Sequence, residues 1–128
     1  MNVSFIGCGG FTSGTHIPNV AANPRFRIRG FCDLDNSRLK SLQTLFSPAY
    51  VTTRMEDVFD DTETEMVICG TKPDFRLPIM ELAVSRKKHL FVEKPLCYDH
   101  AEIIPMVRLM KGASVKFMVG FNRPYSPM

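Results

Sequence analysis

An apolar run over residues 3–6 breaks at Gly7-Cys8-Gly9-Gly10-Phe11-Thr12 and leads into a helical pattern. The next apolar run, residues 28–32, closes on an acidic residue, Asp33, about 20 residues beyond Thr12. Strand, glycine turn, helix, strand and carboxylate make the layout of a βαβ unit that holds a dinucleotide. Each position has a mechanical reason. Gly7 allows the tight turn off the strand. Gly9 lets a diphosphate approach the backbone where a Cβ would collide with it. The following helix offers unpaired N–H groups and the positive end of its dipole. Thr12 stands at the third glycine position and is small, though not glycine.

The pattern repeats along the chain. Strands are predicted over residues 3–6, 28–32, 50–52, 66–69, 90–92 and 115–119. Helices are predicted over 11–22, from Asp35 onward, briefly after Thr53, over 74–86 and over 99–111. Asp35 is a good N-cap for a helix whose inward face is Leu39, Leu42, Leu45 and Phe46. Thr53 and Glu56 have capping-box spacing, as do Asp99 and Glu102. Pro18 and Pro105 are awkward inside helices, because each removes a hydrogen bond. Short apolar strands separated by helices imply a parallel sheet covered on both faces. The right-handed crossover rule then gives a doubly wound α/β fold, strand order 3-2-1-4-5-6, in one Rossmann domain of 128 residues. Residues just past the strand ends would face the ligand: 7–12, Asp33, 70–73, 93–95 and 120–123.

Composition narrows the class. With 45% apolar and 23% charged residues, the chain belongs with soluble globular proteins. A net charge of +3, spread over two short basic clusters, argues against a nucleic-acid footprint. No apolar run approaches a membrane span, and no basic segment precedes a hydrophobic stretch at the N-terminus. Cys8, Cys32, Cys69 and Cys97 have no Cys-x-x-Cys spacing, so they read as core or turn residues in a reducing, cytoplasmic compartment, with no metal site.

Phe91-Val92-Glu93-Lys94-Pro95-Leu96, with Lys88-His89 before it, resembles the Gfo/Idh/MocA oxidoreductase family. The likeness extends to Ile6-Gly7-Cys8-Gly9-Gly10 with His16-Ile17-Pro18, to Cys32-Asp33-Leu34-Asp35 with Arg38, to Thr71-x-Pro73, and to Val119-Gly120-Phe121-Asn122-Arg123. The resemblance implies that the backbone at Gly9, Gly10, Phe11 and Thr12, after the turn at Gly7, holds a pyrophosphate. Asp33 would accept from the adenosine ribose, favouring NAD over NADP, while Arg38 leaves room for NADP. Thr71 and Pro73 would line the nicotinamide half, Glu93 would bind its ribose, and Lys94 would be the catalytic group beside the reacting carbon. The family usually carries His where this chain has Arg76, which could instead pair with a phosphate or a substrate carboxylate. His16 and His89 read as structural.

The resemblance also implies a C-terminal α/β domain that supplies most substrate contacts and the general base, for a sugar-like or cyclitol substrate. These residues do not contain it. The expectation is therefore a nucleotide-binding domain of a longer oxidoreductase, or a truncated gene product, inactive alone. Exposed apolar residues near the last strand would then favour self-association as a homo-oligomer. Two other readings stay open: a non-catalytic NAD(P)-binding module acting with a separate chain, and a Rossmann-like S-adenosylmethionine binder, against which Glu93-Lys94-Pro95 argues.

Overall fold

The computed structural model describes residues 1–122. Six parallel strands form one sheet: β1 (Asn2–Ile6), β2 (Arg27–Cys32), β3 (Tyr50–Thr52), β4 (Met66–Cys69), β5 (His89–Val92) and β6 (Phe117–Val119). Their order across the sheet is β3-β2-β1-β4-β5-β6, the order expected from the alternation of strands and helices. Five helices cover it: α1 (Ile17–Ala22), α2 (Asn36–Phe46), α3 (Met55–Asp60), α4 (Arg76–Ser85) and α5 (Ile103–Met110).

Side-chain alternation along the strands divides the core into two layers. Val3, Phe5, Phe31 and Ile68 point to one face, under Ile17 and Val20 of α1 and Leu39 and Leu42 of α2. Ile6, Cys32, Val67, Cys69, Leu90 and Val92 point to the other, under Val58, Phe59, Ile79, Met80, Ala83 and Met106. Phe5 and Phe31 are fully buried, with ring centroids 5.6 Å apart; burial of each is worth about 1.5–3 kcal/mol. Because both faces are covered, the strands read as continuous apolar runs.

Several local expectations change. Leu45 is 73% exposed, since at 3.6 residues per turn Leu39, Leu42 and Phe46 share the inward stripe and position 45 falls beside it. Thr53 and Glu56 form no capping box at α3. Thr52 acts one residue earlier, its Oγ1 accepting from the Arg54 N–H and donating to Asp57 at 2.5 Å. Asp35 caps α2 as expected, accepting from the Ser37 and Arg38 amides. Pro18 is accommodated by a π-helical turn, Thr12–His16, in which the Ile17 N–H reaches the Thr12 carbonyl. A proline ring collides with the carbonyl four residues back, and the wider turn relieves that contact at the start of α1. Pro105 sits in the first turn of α5, where amide donors lack helical partners anyway. The strand expected over 115–119 is shorter, beginning at Phe117.

Candidate dinucleotide site

The sheet ladder places five residues in a row along its carboxyl edge. The amides of Asp33, Gly7, Gly70, Glu93 and Gly120 donate to the carbonyls of Thr52, Cys32, Ile6, Cys69 and Val92 respectively. Each bond ties the residue just past one strand to the last residue of its neighbour. The glycine turn, the acidic residue and the Glu-Lys-Pro segment, far apart in sequence, therefore share one edge.

The glycines of the turn are required for different reasons. Gly7 has φ +78°, and a Cβ there would meet the Thr71 backbone nitrogen at 2.8 Å. Gly70 is held equally close, with a Cβ position 2.1 Å from Thr12 Oγ1 and 2.7 Å from the Gly7 carbonyl. Thr12 is 2% exposed, its side chain set against Gly70 just past β4. Gly9 and Gly10 have nothing within 4 Å of their Cβ positions. No protein neighbour requires glycine there, and the space over the backbone is open. The first bond into the helix runs from the Ser13 amide to the Gly9 carbonyl at 2.9 Å. The amides of Gly10, Phe11 and Thr12 precede it and so are available to an anion. Residues of this kind fit a diphosphate.

Asp33 is the hydrogen-bonding hub at the end of β2. Its Oδ2 accepts from the Cys8 amide at 2.7 Å, and its Oδ1 accepts from the Asp35 amide at 2.9 Å and Arg38 Nη1 at 2.8 Å. The carboxylate is thus built into the glycine turn as well as facing it. One acceptor position on Oδ2 remains for a ribose hydroxyl. Arg38 also reaches Asp35 at 3.5 Å, so two carboxylates hold one guanidinium. Asp35 is held below its usual carboxylate range by the Ser37 hydroxyl and the Arg38 amide. The local charge is net negative, which opposes a 2′-phosphate.

At the other end lies a cleft of about 270 Å³, whose walls include Phe11, His16, Phe91, Glu93, Lys94 and Phe121. His16 Nε2 donates to Glu93 Oε1 at 2.7 Å, while Glu93 Oε2 accepts from the Lys94 amide at 3.1 Å. The His16 ring lies edge-on to Phe11 and Phe91, at centroid distances of 5.3 and 5.2 Å. His16, expected to be structural, thus lines this cleft and is bonded to Glu93. Its partner is 77 positions away, and no spacing rule could join them. His89 is structural as expected, accepting from the Lys116 amide through Nδ1 at 3.1 Å. Lys94 is exposed, its peptide bond to Pro95 is cis, and its ammonium has no hydrogen-bond or ion-pair partner among the described residues.

Two of the residues expected to face the cofactor are buried. Arg76 is 1% exposed and spends its guanidinium inside the protein, on Cys69 Sγ at 2.9 Å, Thr71 Oγ1 at 3.1 Å and the Glu93 carbonyl at 2.9 Å. It is too deep to meet a phosphate or a substrate carboxylate directly. Pro73 is likewise buried, opening the 3-10 turn before α4, so its ring packs inward. Thr71 is half-buried, between Gly7 and Arg76. Gly120, Phe121 and Asn122 line the cleft, while Arg123 lies outside the described residues. Among those residues no metal-binding cluster occurs, and no helix is long and apolar enough to cross a membrane.

Residues 1–121 match the sequence model of the Gfo/Idh/MocA oxidoreductase family, described as an NAD-binding Rossmann fold. The uncharacterized oxidoreductase YrbE of Bacillus subtilis is 26% identical over 112 residues, covering 88% of this chain and 33% of that protein. Myo-inositol 2-dehydrogenase of Thermotoga maritima is 24% identical over 126 residues, 98% of this chain and 37% of that one. Among solved structures, GenD2 from gentamicin A biosynthesis, in complex with NAD, superposes with a TM-score of 0.89 at 27% identity, over 99% of this chain and 36% of that chain. This chain spans about a third of the length of the curated relatives it matches. With the glycine turn, the strand-end carboxylate and the Glu-Lys-Pro segment set along one sheet edge, the chain belongs to the Gfo/Idh/MocA oxidoreductase family as an NAD-binding Rossmann domain.

Proposed function

We propose that this domain positions NAD for hydride transfer to or from a hydroxyl-bearing carbon of a sugar-like or cyclitol substrate. The observation that carries the reading is the free Lys94 ammonium in the cleft beside Glu93, on the same sheet edge as the glycine turn. When bound, NAD supplies the hydride acceptor. The chain's own residues do the rest. Amides of the turn hold the diphosphate, Asp33 orients the adenosine ribose, and Glu93, steadied by His16, receives the second ribose. Lys94 orients the substrate hydroxyl and stabilises negative charge growing on its oxygen. A second α/β domain supplies the remaining substrate contacts and the general base. Relatives named as inositol dehydrogenases support the cyclitol class.

Titration of NADH, NADPH and S-adenosylmethionine against the 128-residue chain tests the cofactor half. NADH is expected to bind best, and Asp33→Ala to weaken it by on the order of 1.5–3 kcal/mol through lost charge-assisted hydrogen bonds. Binding of S-adenosylmethionine without NADH refutes the reading. For chemistry, Lys94→Met in the protein carrying its substrate domain should lower kcat about 10²-fold or more, with NADH affinity unchanged.

A further inference from the structure

Arg76 is a buried cation in a place that disfavours one. It is 1% exposed, and no carboxylate lies within 4 Å of its guanidinium among the described residues. It is the first residue of α4, where the helix dipole is positive and cations are destabilised. Its Nε has no hydrogen-bond partner. The acceptors it does have are a thiol, a hydroxyl and a carbonyl, all neutral groups. These contacts clamp the ends of β4 and β5 together, but an uncharged donor would clamp them as well. The charge itself is left without a structural purpose. Burying a charge with no counter-charge is costly, so a neutral side chain would hold the same loops at lower cost.

Its neighbours indicate what the charge does. Thr71 and Glu93, both bonded to Arg76, are the residues placed at the nicotinamide half of the cofactor in the reading above, on which this step rests. Two other charged groups share this half of the edge, Glu93 and Lys94, and both are constant across variants at position 76. The Glu93 carboxylate is engaged by His16 and the Lys94 amide, and Lys72, Asp74 and Lys94 are solvent-exposed. The oxidised nicotinamide ring is cationic and the reduced ring is neutral. We infer that Arg76 is a positioning residue whose buried charge also sets the redox-state preference of the domain, favouring NADH over NAD+. Two unit charges about 10 Å apart at an effective dielectric constant of about 20 repel enough to change an equilibrium constant on the order of tenfold. A tenfold preference raises the potential of the bound two-electron couple by about 30 mV. That shift assists reduction of the cofactor, and hence oxidation of the substrate hydroxyl.

The test is titration calorimetry of the 128-residue chain with NAD+ and with NADH, for wild type, Arg76→Lys, Arg76→Gln and Arg76→Met. Loss of the clamp alone weakens both forms equally; loss of charge moves their ratio. Wild type should bind NADH about tenfold more tightly than NAD+, Arg76→Lys should keep that preference, and the neutral variants should lose most of it. Wild-type affinities within twofold of each other overturn the inference even if no variant folds. So does a ratio unchanged in either neutral variant. Failure of wild type to bind both nucleotides overturns instead the dinucleotide reading beneath it.

Discussion

Alanine at Gly7 and alanine at Gly9 should fail in opposite ways. At Gly7 the backbone sits at φ +78°, which costs a residue with a Cβ about 1–2 kcal/mol. The added methyl would also stand 2.8 Å from the Thr71 nitrogen and 2.9 Å from its Cγ2. Backbone cannot yield as a side-chain tip can, so overpacking adds about 1–3 kcal/mol. Gly7→Ala should therefore lose about 2–5 kcal/mol, a large share of the roughly 5–15 kcal/mol that holds a domain together. At Gly9 the methyl meets nothing within 4 Å and the backbone is not left-handed. Gly9→Ala should be neutral or gain up to about 1 kcal/mol by restricting the unfolded chain. The same methyl occupies the space proposed for the diphosphate. Losing one charge-assisted amide contact costs about 1.5–3 kcal/mol, or about tenfold to a hundredfold in affinity. Urea unfolding and NADH fluorescence titration on both variants separate the effects. A Gly9→Ala protein that binds NADH like wild type would refute the placement of the diphosphate on this turn.

Three further outcomes are expected. At pH 8 a disulfide reagent should reach one thiol ahead of the others, that of half-buried Cys97, although partial burial with Glu102 and Asp99 alongside raises it too. Burial, with Asp33 alongside, pushes the Cys8 and Cys32 thiols up to about 12, and Cys69 is fully buried; a second thiol reacting as fast as the first would contradict this packing. Burial alone would raise Asp61, but hydrogen bonds from Arg29 and Thr64 outweigh it and hold the carboxyl below its usual range. Asp35 is lowered as well, by its capping bonds. A carboxyl lowered on folding stabilises the protein above its unfolded pKa, and that stabilisation is lost as pH falls through the folded value. Urea midpoints should hold from pH 7 to about 5 and drop below about 4, and Asp61→Asn should flatten the drop. Finally, Met118 is 44% and Phe121 58% exposed beside the edge strand β6. Analytical ultracentrifugation at micromolar concentration should show self-association; a clean monomer refutes it.

Much of the molecule was legible before any coordinates. Apolar runs separated by amphipathic stretches dictate a covered parallel sheet, and crossover handedness dictates its order. Gly7 and Asp33 were readable because a turn and a strand end impose local demands that a few residues satisfy. Leu45 was misread because it stands at the margin of the Leu39, Leu42 and Phe46 stripe, where the width of the covering sheet decides burial. Gly30, whose Cβ position lies 2.2 Å from the Tyr50 ring, carried no local signal at all, since its constraint comes from the neighbouring strand.

The sequence by itself determined the class of fold, the edge on which a ligand would sit and the segments that reach that edge, because these follow from short-range pattern and chain handedness. Only the tertiary structure decided which groups meet. It joined His16 to Glu93, made Asp33 a brace of the glycine turn, and sank Arg76 beneath the site in place of a ligand contact. Hydrogen bonding and burial between residues dozens of positions apart depend on how strands stack, and no local pattern records that.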